Sequence, residues 1–367
     1  MAEDTALIEK REELKRQLAA GEYKTLVDLM LDGMGRLIQK LTRNPEPLPF
    51  WYSAVVIALV TLMIGFLTSI LLGELHPLRR EMILFEISVV GIVLAIGIAG
   101  RIYLGIFSTT WRDHLLDAIE SGADLADLQR WLAAAYNVEK PLFSGLAFGI
   151  LLGFYFTILS STIRGGFVGF GPTILNVITT FQLGMFIYYF LRFLALPVRL
   201  SRYQFKLYAA DPSSSEVIDH LSDMLSNFVY AAAVVTAIAT LVVAFSGLLT
   251  LSFIILLVLV GWGPLTALFV INQYALAKII TRAKWKTLNE IQAKIEALQA
   301  QENIAEKETM EAINRLMDYH DRIKATRNSA LDLRAGLNFL NSLLLPLFAF
   351  LLANLGKVLE LFSKLVD

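Results

Sequence analysis

Gly261-Trp262-Gly263-Pro264 stands in the middle of an apolar run, and Asn272 and Gln273 follow on the same run. Proline inside a helix lacks the N–H that would bond the preceding turn, and the flanking glycines soften the chain further. Carbonyls freed in this way at membrane depth need protein or water beside them. The chemistry on offer is the binding or passage of a polar species. Three charges fall in other apolar runs: Glu86, Arg101 and Arg192. A charge inside a bilayer is costly and points to a permeation or transport path. Against this, Glu86 lies about a turn from an interface, and the two arginines lie near helix ends, where long stems can snorkel. The candidate pore, gate or transport path is therefore Gly261, Trp262, Gly263, Pro264, Asn272, Gln273, Arg101, Arg192 and Glu86. Gly145, Gly149 and Gly153, spaced by four, form a ridge on which another helix can lie closely.

Bond-making chemistry finds little support. The chain has no cysteine, which removes thiolate catalysis, disulfides and Cys-ligated metal. Its four histidines (His76, His114, His220 and His320) are scattered, and no two share a metal-ligand spacing. No HExxH, GxSG or P-loop occurs. Asp28 and Asp32 share a helix face and could hold a cation. With no further ligand clustered near them in sequence, they read as a solvated face. Nothing assigns a catalytic residue, a metal or a cofactor, and an enzyme is disfavoured. A net charge of −1 leaves no basic surplus for nucleic acid.

The elements that must position these residues are membrane helices. The hydrophobic fraction is 56% and the charged fraction 18%, with a mean hydropathy of +0.59. Several apolar runs reach the roughly 20 residues that span a bilayer. The fold class expected is an all-α integral membrane protein of about seven spans, with a cytosolic helical bundle that includes a long coiled-coil-like hairpin. Residues 1–49 form cytosolic amphipathic helices, and 50–107 hold spans 1 and 2. Residues 108–140 are cytosolic or interfacial helices, and 141–197 hold spans 3 and 4. Residues 198–226 give a cytosolic extended segment and a short helix. Residues 227–280 hold spans 5 and 6, 281–328 the cytosolic hairpin, and 329–367 span 7 and a short tail. Pro197 should end span 4. Ser213 with Glu216 reads as a capping box, as does Ser329 with Asp332. Ser88, Gly91, Ala95 and Ala99 give span 2 a smooth face for close packing.

The hairpin follows from length. A single helix over 281–328 would be roughly 70 Å long and would strand the next span far from the bilayer. It must fold back, with Leu288, Ile291, Ile295 and Leu298 facing Ile313, Leu316, Tyr319 and Ile323 at heptad-like spacing. With the N-terminus in the cytosol, all long polar segments and most lysines and arginines share one side. These features predict a homo-oligomeric ion channel or pore in a plasma membrane, the bacterial inner membrane fitting best, with a cytosolic gating and assembly domain. One alternative is a membrane scaffold whose cytosolic helices recruit a soluble protein. A second is a secondary transporter. The partners implied are the lipid bilayer, further copies of the chain and a soluble cytosolic protein.

Overall fold

The computed structural model describes residues 2–43, 46, 48–73, 80–164, 169–245, 257–300 and 307–329, and these are helical almost throughout. In order they form α1 (Ala2–Ala20), α2 (Leu26–Thr42), α3 (Phe50–Leu71), α4 (Arg80–Thr110), α5 (Gly122–Ala135), α6 (Glu139–Arg164), α7 (Phe170–Leu200), α8 (Glu216–Phe245), α9 (Gly263–Gln299) and α10 (Lys307–Ala325). A π-helical turn, Trp111–Leu115, continues α4, and another, Leu257–Trp262, leads into α9. Six of the described helices are long and apolar enough to cross a membrane: those built on α3, α4, α6, α7, α8 and α9. The expected seventh span, its capping box at Ser329 and Asp332, and the turn between α9 and α10 fall at least partly outside the described residues.

α7 is the central helix and packs on α3, α4, α6 and α9. Its closest neighbour is α6, which lays its glycine ridge on it. A β-carbon at Gly149 would stand 3.2 Å from the Cα of Phe181, and one at Gly153 would stand 3.0 Å from the Cα of Val177. Ser144 Oγ donates to the Gly184 carbonyl at 2.9 Å, and Thr180 Oγ1 to that of Gly149 at 3.2 Å. α3 crosses α7 as closely, at Gly65 and Gly171. On the expected smooth face of α4, a β-carbon on Gly91 would meet nothing within 4 Å among the described residues. The outward faces of α3 and α6 expose Met63, Phe66, Phe143, Leu151 and Ile158, as lipid-facing helices do.

The polar segments gather into a cap on one end of the bundle. Leu14 and Leu18 of α1 join Trp111, Leu115, Leu128, Trp131, Phe205 and Ile218 in one apolar core, which Leu196, Ile279 and Ile280 continue into the spans. Each such side chain contributes about 1.5–3 kcal/mol by leaving water. Phe107 and Phe193 meet edge to face at 5.2 Å at its centre. Beyond the cap, α9 and α10 pack through Leu288, Ile291, Ile295, Ile313 and Ile323.

Three boundaries differ from those expected. Pro197 lies inside α7, which runs on to Leu200. Proline costs an amide there, but it sits in the last turn, where burial against the cap holds the helix together. Residues 216–225 and 227–245 are one helix, because nothing at Ser226 interrupts the backbone bonding of α8. Ser213 does not cap that helix. It sits in a short 3-10 turn capped by Asp211, and the Ser215 carbonyl receives the first amides of α8. The segment 201–210 is irregular, with a single antiparallel bridge from Phe205 to Ile119.

Candidate functional site

The break in the sixth apolar run has a defined form. The chain passes through one π-helical turn, Leu257–Trp262, and tightens into α9 at Gly263-Pro264. A β-carbon on Gly263 would stand 3.0 Å from the Val258 carbonyl oxygen, and one on Gly261 would stand 2.9 Å from Thr236 of α8. Both glycines are thus required where backbone or a neighbouring helix comes close. Thr266 Oγ1 donates to the Trp262 carbonyl at 2.9 Å. A π turn widens the helix locally and leaves backbone groups out of register, which is why such turns recur at functional sites.

Polar atoms line the same helix. Trp262 is buried among Val229, Leu265 and Leu268, and its indole Nε1 has no partner among the described residues. Asn272 donates its amide to the Leu225 carbonyl of α8 at 3.2 Å, while its Oδ1 and the Oε1 of Gln273 are buried and have no partner among the described residues. A buried polar atom without a partner costs about 1–3 kcal/mol. Along α9 and the turn before it, Trp262, Asn272 and Gln273 thus each leave a polar atom that water, an ion or another chain could satisfy.

The two arginines are placed otherwise. Arg101 reaches out of α4 and pairs with Asp28, and it lies 3.4 Å from Asp32. The face formed by Asp28 and Asp32 does hold a cation, and that cation is the guanidinium of Arg101. Asp28 is buried, and its other oxygen accepts from the Thr25 amide at 3.0 Å in a capping box that starts α2. The first amide of α2, at Leu26, donates to Tyr189 Oη of α7 at 2.8 Å. Lys24 adds a 2.7 Å pair to Asp32. Arg192 lies over the ring of Tyr188 on its own helix, whose hydroxyl donates to the Ala134 carbonyl at 2.9 Å. Glu86 belongs to α4 by its backbone, and its side chain is outside the described residues.

Further polar anchors hold the cap, and no spacing along the chain announces them. Asp127 accepts two bonds of 2.6 Å from Arg199 and one of 2.9 Å from Tyr203 Oη. The Arg199 guanidinium brings its carboxyl down to about 2. His114 and His220, distant in sequence, stack at 3.8 Å. Among the described residues no group of three or more metal-ligating side chains forms. Compared with protein-family models, with curated proteins and with solved structures, the chain finds no match in any of the three.

Proposed function

We propose that the protein is a homo-oligomeric ion channel or pore, with its gate at the π turn ahead of α9 and its cap and hairpin in the cytosol. The observation that carries this reading is the set of unpaired polar atoms on Trp262, Asn272 and Gln273, on the same apolar helix as the Gly263-Pro264 break. In a bilayer such atoms belong beside water or an ion. α9 is continuous from the break into the hairpin, so a change at the hairpin reaches the gate along one rigid element.

The test is ion flux through purified protein in liposomes, with the oligomeric state measured on the same sample. Flux from a defined oligomer that is lost in Gln273→Leu and altered in Pro264→Ala is the expected result. No flux under any ion gradient, from folded protein, would sink the channel. The scaffold would then lead. It is favoured by the exposed Trp285, Met310 and Met317 on the hairpin, which would give a soluble protein partner its apolar contacts. Deleting 288–323 should then abolish recovery of that partner while the spans still insert.

A further inference from the structure

α2 has the composition of a helix that lies on a membrane surface. Leu29, Leu37 and Leu41 are exposed, the last at 75%, and Arg36 and Lys40 are one turn apart. Exposed leucines beside a basic stripe favour the boundary between headgroups and acyl chains. The start of α3 marks the same level, because Trp51 and Tyr52 are about half exposed there and amphipathic rings settle at the headgroups.

At this level α2, the start of α3 and Arg101 of α4 line an open cleft of about 410 Å³. Its polar walls are Lys24, Asp32, Arg36, Gln39, Ser53 and Arg101. The volume falls in the range that holds a small ligand, about 300–1,000 Å³. Lys24 and Arg101 are turned to the carboxylates of Asp32 and Asp28. Arg36 has no carboxylate partner among the described residues. Its Nε only touches the Asp32 carbonyl, at 3.4 Å. Three bases thus face two carboxylates, and the base in excess is a guanidinium, whose planar fork matches two oxygens of a phosphate.

We propose that this cleft binds a phosphate group, with Arg36 as its main contact and Lys24 and Arg101 as supporting charge, and that an anionic phospholipid in the adjoining leaflet presents it. The reading depends on the helices lying in a bilayer and not on the channel, so flux and lipid binding can fail separately. Each basic residue near an anionic surface adds about 1 kcal/mol, roughly fivefold in affinity.

The experiment is native mass spectrometry of the full chain in detergent, titrated with phosphatidylglycerol, with phosphatidylcholine, and with inorganic phosphate alone. One phosphatidylglycerol should be held per chain in preference to phosphatidylcholine. Arg36→Gln should weaken it about fivefold, and Lys24→Gln by less. Arg315→Gln, on the exposed hairpin, should leave it unchanged. Binding of inorganic phosphate that depends on Arg36, with no lipid held, would keep the phosphate site and assign it to a soluble source. Phosphatidylglycerol held equally by the wild type and by Arg36→Gln, with no binding of inorganic phosphate, would overturn the proposal. Arg36 is exposed, and unchanged thermal unfolding of its variant would separate lost binding from lost fold.

Discussion

Lys284 sets its ammonium 2.7 Å from the carbonyl oxygen of Thr326 and 2.8 Å from that of Lys324. Its third bond, 2.9 Å, goes to Asn328 Oδ1. A buried lysine is costly unless its donors are matched, and here all three are. One acceptor is a carbonyl of the last turn of α10 and the other two follow its end, so the charge also meets the negative end of a helix dipole. The far end of α10 is thereby fixed to the place where α9 leaves the cap.

Lys284→Met should release that end. Hydrogen bonds to charged groups contribute about 1.5–3 kcal/mol, so amide exchange over 307–325 should speed up roughly ten- to hundredfold. Exchange in α1 serves as the control, and unchanged protection in α10 would contradict the anchor.

Gly153→Val should push α6 off α7. The added β-carbon would stand 2.8 Å from Val177 Cγ2 and 3.0 Å from its Cα, and backbone cannot move aside as a side chain can. A loss of about 1–3 kcal/mol is expected, read as a lower midpoint of thermal unfolding in detergent. Gly91→Ala, which meets nothing within 4 Å among the described residues, should change little.

Asp28 and Arg101 should behave as one unit. Asp28→Ala removes one half of the capping box of α2 and leaves Arg101 only the more distant Asp32, a loss of about 2 kcal/mol. In a double-mutant cycle with Arg101→Gln, measured by chemical unfolding, the coupling should exceed about 0.5 kcal/mol. Simple additivity would mean that Arg101 does not depend on the acid.

Acid should weaken the cap through Asp127. Its folded pKa is about 2, below the ordinary value of about 4. The unfolded chain therefore takes up the proton first as pH falls. The stabilisation is complete above about pH 4 and is lost on the way down to 2. Trp131, buried in the same cap core, reports it by fluorescence. Asp127→Asn should be less stable at neutral pH and should show less loss between pH 4 and 2.

The spans were legible because apolar length is a one-dimensional signal. Spans 1 and 2 are expected within 50–107, and α3 and α4 cover Phe50–Leu71 and Arg80–Thr110. The ridge of Gly145, Gly149 and Gly153 stands in the sequence because its spacing matches a helix face. α7 runs past Pro197 because a local breaker yields to tertiary packing, and α8 runs through Ser226 because a change from polar to apolar residues does not interrupt a helix. The polar anchors were hidden for another reason. Asp28 meets Arg101, and Asp127 meets Arg199, across more than seventy residues. Two helices must be docked before such a pair exists, and spacing along the chain carries no trace of that. The unpaired atoms of Trp262 and Gln273 could not be foreseen either, since being unpaired is a property of the surroundings.

The cap core that unites Leu14 with Ile280 also sets a timetable for synthesis. α6 and α7 are sequence neighbours and can close on each other as soon as both have left the ribosome. α1 is made well before Trp131, Phe205, Ile218 and Ile280. At about 5–20 residues per second, Leu14 and Leu18 wait on the order of tens of seconds for the surface that covers them. α1 is thus made before its partners and seated only after them, and until then its leucines must be kept from other contacts.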